Sequence, residues 1–68
     1  MWNLEGMTVT GKYLGDVLVT GKVESSRVAY GGRVKHTVVL DEPVSFRWRQ
    51  EPADRLILDH ESILTVRG

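Results

Sequence analysis

Sixty-eight residues make a single domain, 1–68, too short to bury more than ~60% of the surface its unfolded chain exposes. Nine Lys/Arg residues balance nine Asp/Glu residues, which argues against a strongly basic, dedicated nucleic-acid binder, although local patches of one sign can still form. Cysteine is absent, which excludes disulfide staples and thiolate metal sites and leaves a compact core or self-association, a homodimer included, as stabilising devices.

No apolar run approaches the ~20 residues needed to span a bilayer, and no signal-peptide pattern precedes the first strand. The expected location is the cytoplasm. Met1 to Gly6 carries two large apolar residues, Trp2 and Leu4, around Asn3. Two readings are open for it: a short strand or arm covering one end of the core, or an exposed Trp2 offered to a partner or a base. Met7 to Leu14 alternates, Met7 and Val9 against Thr8 and Thr10, and predicts the first full strand. Gly11 within it signals a bulge or sharp bend. Leu14-Gly15-Asp16-Val17 predicts the next turn.

Val17 to Leu40 is the most informative stretch. Two alternating runs flank Gly31-Gly32, which reads as a two-residue type I′ hairpin turn because glycine supplies positive φ at both central positions. Tyr30 is then expected to face Arg33, with Ala29 opposite Val34, Arg27 opposite His36 and Val23 opposite Leu40. That register collects Val17, Val19, Val23, Ala29, Val34, Val38 and Leu40 on the core face. Lys22, Glu24, Ser26, Tyr30, Arg33, Lys35 and Thr37 fall on the outer face. An irregularity is expected near Ser25-Ser26, and Gly21 marks a bend.

Strand three is expected over Arg33 to Asp41, stopping at Glu42-Pro43. Val44 to Arg49 alternates again and predicts either an edge strand or an extended loop, the edge being favoured because Pro43 and Pro52 lack amide donors. Leu56-Ile57-Leu58 is a short strand, Asp59 a plausible cap for one helical turn, and Ile63 to Val66 the closing strand. Together these elements predict an all-β fold, a five- to six-stranded small barrel with a single 3-10 or α turn before the last strand.

That order resembles the SH3-like barrels and, within them, the KOW and Tudor-like group. Leu56 to Leu64 looks like their closing strand–turn–strand, and Gly6-Met7-Thr8-Val9 with Gly21-Lys22-Val23 looks like the glycine-punctuated start of a KOW segment. The five residues Asp16 to Thr20 between Gly15 and Gly21 exceed the usual KOW spacing. The resemblance implies a binding barrel whose ligands include RNA, DNA, peptides and methylated side chains, so it does not choose among them. The chain is also similar, more weakly, to short proteins carried by tailed bacteriophages, through Ser26-Arg27-Val28, Tyr30-Gly31-Gly32, His36-Thr37-Val38 and Leu58-Asp59. That similarity implies a location in the host cytoplasm.

No sequence signature of a catalytic triad or a phosphate loop is present. His36 is expected near the core-facing row, as a rim histidine satisfied by hydrogen bonds rather than a ligand or base. Asp59-His60-Glu61 crowds three groups onto one turn, where they do not converge on an ion. No catalytic residue, cofactor or metal is therefore expected, nor an enzyme. Binding chemistry is better represented. Tyr30, Arg33 and Lys35 interleave an aromatic ring with cations on the outer hairpin face, and Arg47, Trp48 and Arg49 form a second such group. The expected function is a non-enzymatic module with weak or structure-selective nucleic-acid binding through these residues. The alternative is a protein–protein interaction barrel, as a phage factor docking on a host protein through Trp2, Trp48 and the Pro43–Pro52 edge.

Overall fold

A computed structural model describes residues 2–68 of the chain; Met1 lies outside them. Five antiparallel strands form one sheet: β1 (Thr8–Tyr13), β2 (Val17–Val28), β3 (Val34–Val44), β4 (Ala53–Asp59) and β5 (Ile63–Arg67), in the order β4-β3-β2-β1-β5. A 3-10 turn, His60–Ser62, joins β4 to β5. These are the two edge strands, so a three-residue link between them forces the sheet to curl until its edges approach. No backbone ladder joins β4 to β5, and the sheet remains open at that seam.

The core fills the concave side. Val9, Val19, Val23, Val38, Leu56 and Leu58 alternate inward from four strands, as the period of two requires. At Gly21 β3 lies close against β2: a Cβ there would lie 2.2 Å from the Val39 carbonyl oxygen and 2.8 Å from Leu40 Cα. Gly11 similarly lets the 3-10 turn lie over β1, with the Ser62 oxygen 2.8 Å from where a Cβ would stand. The β1–β5 register shifts between Thr10 and Gly11, the bulge expected at this glycine.

The central hairpin departs from the expected register. Its turn is Ala29-Tyr30-Gly31-Gly32, closed by the Gly32 amide donating to the Ala29 carbonyl at 3.0 Å. Gly31, the third turn residue, has φ +88°, the signature of a type II turn, and Gly32 follows at +81°. The Ala29 amide then donates to the Arg33 carbonyl, and Val28 pairs with Val34, so Tyr30 does not face Arg33. A second shift between Val23 and Ser25 leaves Glu24 unpaired as a bulge. Each extra residue reverses side-chain parity. Ser26, beyond the bulge, therefore turns into the core beside His36, which the unbroken alternation of β3 already places inward as expected, while Val28 is exposed and Val34 only half-buried near the end of the hairpin.

The bulge also receives the amino-terminal arm. Gly6 donates to the Val23 carbonyl and the Val23 amide donates to the Met7 carbonyl, each at 2.9 Å. The Leu4 amide reaches Ser26 Oγ at 3.0 Å, and Glu5 Oε2 accepts the Ser26 amide at 3.1 Å. Leu4 is thereby buried as the end-plug of the core, while Trp2 is 44% exposed. Residues 45–52 are a loop rather than an edge strand, because β3 ends at Val44 and Val44 pairs directly with Ala53. Asp59 precedes the 3-10 turn without a side-chain cap bond. Its carboxylate is instead taken by Lys35. Among the described residues, no helix is long and apolar enough to cross a membrane.

Candidate functional site: a basic and aromatic seam

Two shallow depressions lie along a seam between β1 and β4 and share Tyr13 and Ile57. One is lined by Lys12, Leu14, Lys35 and Asp59 among others, and the second by Thr37, Arg49 and Arg55. β1 contributes Lys12 and Tyr13, β3 contributes Lys35 and Thr37, β4 contributes Arg55 and Ile57, and the 45–52 loop folds back to add Arg49. The Arg49 amide donates to the Phe46 carbonyl at 3.2 Å, which sets the bend of that loop. A chain of zero net charge thus places Lys12, Lys35 and Asp59 in one depression and Arg49 and Arg55 in the adjoining one.

The ion pairs within them are weak. Lys35 Nζ lies 2.6 Å from Asp59 Oδ1, and Arg55 lies 3.4 Å from Glu24, both with substantial solvent access. The Lys35 hydrogen bond holds the Asp59 carboxyl below its ordinary range, with a smaller contribution from the charge of Arg33. Among the described residues, Lys12, Arg47 and Arg49 have no carboxylate within ion-pairing distance.

An aromatic series flanks the same depressions. Tyr13 and Phe46 are tilted at 51° with centroids 5.5 Å apart, and Trp48 stacks on Phe46 at 4.8 Å and 19°. Phe46 is buried while Trp48 is 64% exposed, so the indole rests one face on the core and presents the other to solvent. Of the residues singled out in the sequence, Lys35 and Arg49 line the depressions and Trp48 flanks them. Tyr30 stands fully exposed at the hairpin tip and takes no part in the aromatic series. Arg33 reaches the seam only through its field on Asp59, and Arg47 neighbours Trp48 in the loop. Sequence reading missed Lys12 and Tyr13. They belong to the first strand, and nothing local shows that β1 curls round to face β4.

A second cluster is buried. Ser26 Oγ lies 2.7 Å from His36 Nδ1, and His36 Nε2 lies 2.9 Å from His60 Nδ1. Ser26 already accepts the Leu4 amide, so its own hydrogen goes to His36 Nδ1, and His36 donates from Nε2 to His60. This assignment satisfies every group, and no buried side-chain polar atom is left without a partner among the described residues. His36 is wholly inaccessible, and burial, then the proximity of His60, lowers its pKa from the ordinary histidine value. Ser26 lines neither depression and its hydroxyl is fully engaged, so the series pins the arm, β2, β3 and the 3-10 turn together. Among the described residues, no group of three or more His, Asp or Glu side chains is placed to hold a metal ion.

Comparison with protein-family models, with curated proteins and with solved structures finds no match to the chain.

Proposed function

We propose that this chain is an SH3-like small barrel module that binds nucleic acid through the seam between β1, β4 and the 45–52 loop. The strand order, the curl forced by the 3-10 link and the end-plugging arm support the barrel assignment. One observation carries the function: four cations of a neutral chain line two adjoining depressions, two in each, beside an aromatic series. Cations bound only to exposed carboxylates exchange them for phosphates at little cost, and arginine offers phosphate a bidentate fork. The small number of contacts predicts modest affinity, with log Kd changing by about 1.5–3 per decade of salt for two to four phosphates on a single strand. Fluorescence anisotropy with labelled oligonucleotides from 25 to 300 mM salt tests this. Arg49→Glu is expected to weaken binding about tenfold or more. Absent binding, or binding that ignores salt, refutes the proposal.

The β5 edge favours a second reading, a protein-interaction module. Its outer backbone groups have no ladder partner, and Leu64 is half-exposed beside them. An added strand would pair there. Proline substitutions along β5 that abolish partner capture while leaving oligonucleotide binding intact would establish it.

A further inference from the structure

We infer that the seam selects single-stranded over double-stranded nucleic acid, with Trp48 as the stacking platform for an unpaired base. The inference rests on the nucleic-acid reading above and specifies its substrate class. The indole is presented on a loop, stacked on buried Phe46 at 4.8 Å, and that ring is braced in turn by Tyr13. A ring held this way is ordered before the ligand arrives, so little side-chain freedom is lost on binding. Its free face is flat and apolar, and the adjacent Arg47 and Arg49 are unpaired among the described residues. A base with its π-face open matches that surface, and the phosphates on either side of it match the arginines. A duplex keeps its base faces stacked inside and offers a protruding loop tryptophan only phosphate, sugar and groove edges. The seam also lacks a helix or paired strands aimed outward at groove width. It presents instead a shallow line running from Lys12 past Tyr13 to Arg49, suited to a flexible strand.

The test uses the full chain carrying Trp2→Phe, so that Trp48 is the sole indole, and titrates it at low salt with an oligothymidylate octamer and with a blunt hairpin duplex. Quenching of Trp48 by the single strand, with affinity at least about tenfold above that for the duplex, supports the inference. Trp48→Ala is then expected to weaken single-strand binding about 5- to 150-fold, the span that loss of one base–aromatic stack produces, while Trp48→Phe stays within about threefold of the parent. The phenylalanine variant keeps the contact with Phe46 and guards against a folding defect in the alanine variant, and circular dichroism checks both. Equal affinity for the duplex, or Trp48→Ala binding as tightly as the parent, overturns the single-strand inference and leaves the phosphate-binding reading standing. Binding of neither oligonucleotide overturns both.

Discussion

The buried His36 makes stability depend on pH in a direction that can be worked out. Its imidazole is inaccessible, hydrogen-bonded to Ser26 at 2.7 Å and to His60 at 2.9 Å, and its pKa is lowered by burial and by His60. The groups around it are Ser26 from β2, Glu5 through the Ser26 amide, His60 from the 3-10 turn, and the Lys35–Asp59 pair on neighbouring outward positions. A proton added to His36 goes to Nδ1, the acceptor of the Ser26 hydroxyl, and leaves the Ser26 hydrogen without its acceptor. The unfolded chain takes up that proton near the ordinary histidine pKa of about 6.5, whereas the folded chain resists it. The unfolded state therefore binds more protons below that value, and stability falls as pH falls. One proton limits the slope to ~1.4 kcal/mol per pH unit, so moving from pH 7.5 to 5.5 removes up to about that much. With a urea m-value of ~1 kcal/mol/M for so small a domain, the midpoint shifts by up to about 1 M. In His36→Leu this pH dependence is expected to vanish. The variant also loses about 1–3 kcal/mol at pH 7.5, because Ser26 is orphaned, and Ser26→Ala added to it recovers part of that loss. Equal midpoints at the two pH values, or an unchanged pH dependence in His36→Leu, refute the reasoning.

Two further substitutions probe the backbone. Gly21→Ala places a methyl against the Val39 carbonyl and Leu40 Cα, atoms of the neighbouring strand that cannot move aside. A loss of more than about 3 kcal/mol is expected, read as a collapse of the thermal transition, and an unchanged Tm would contradict the close approach. Leu14 sits in the β1–β2 turn with φ +54°, a conformation costly for leucine, and its side chain is exposed. Leu14→Asn is expected to raise stability by about 0.5–1 kcal/mol in denaturant titration, and a decrease would show that its packing outweighs the strain.

Of the expected small barrel, the structure shows five antiparallel strands in one sheet and a single 3-10 turn before the last strand, and the sheet is not closed. Closure of the barrel would require a ladder between β4 and β5, and the candidate binding groups lie beside that opening, on β1, β3, β4 and the 45–52 loop. An opening there is consistent with a binding surface, since unpaired strand edges and concave walls accept a ligand more readily than a completed ladder does.

Alternation and turn chemistry, read along the chain alone, determined strands over Met7 to Leu14, from Val17 toward the hairpin, over Arg33 to Asp41 and at 56–58 and 63–66 around one helical turn, with glycines turning the central hairpin and a bulge or bend at Gly11; the strand favoured at 44–49 proved a loop. These are local properties: side-chain period and positive φ act within a few residues. The hairpin register was not local. One unpaired residue, Glu24, turned Ser26 inward beside His36, which the alternation of its own strand already placed there, and the amino-terminal arm docks on that bulge from some twenty positions away. The candidate site depended on the same kind of information. Arg49, Trp48 and Lys35 were visible as residue types, yet only the curl imposed by linking the two edge strands through three residues brought Lys12 and Tyr13 to meet them and left Tyr30 apart.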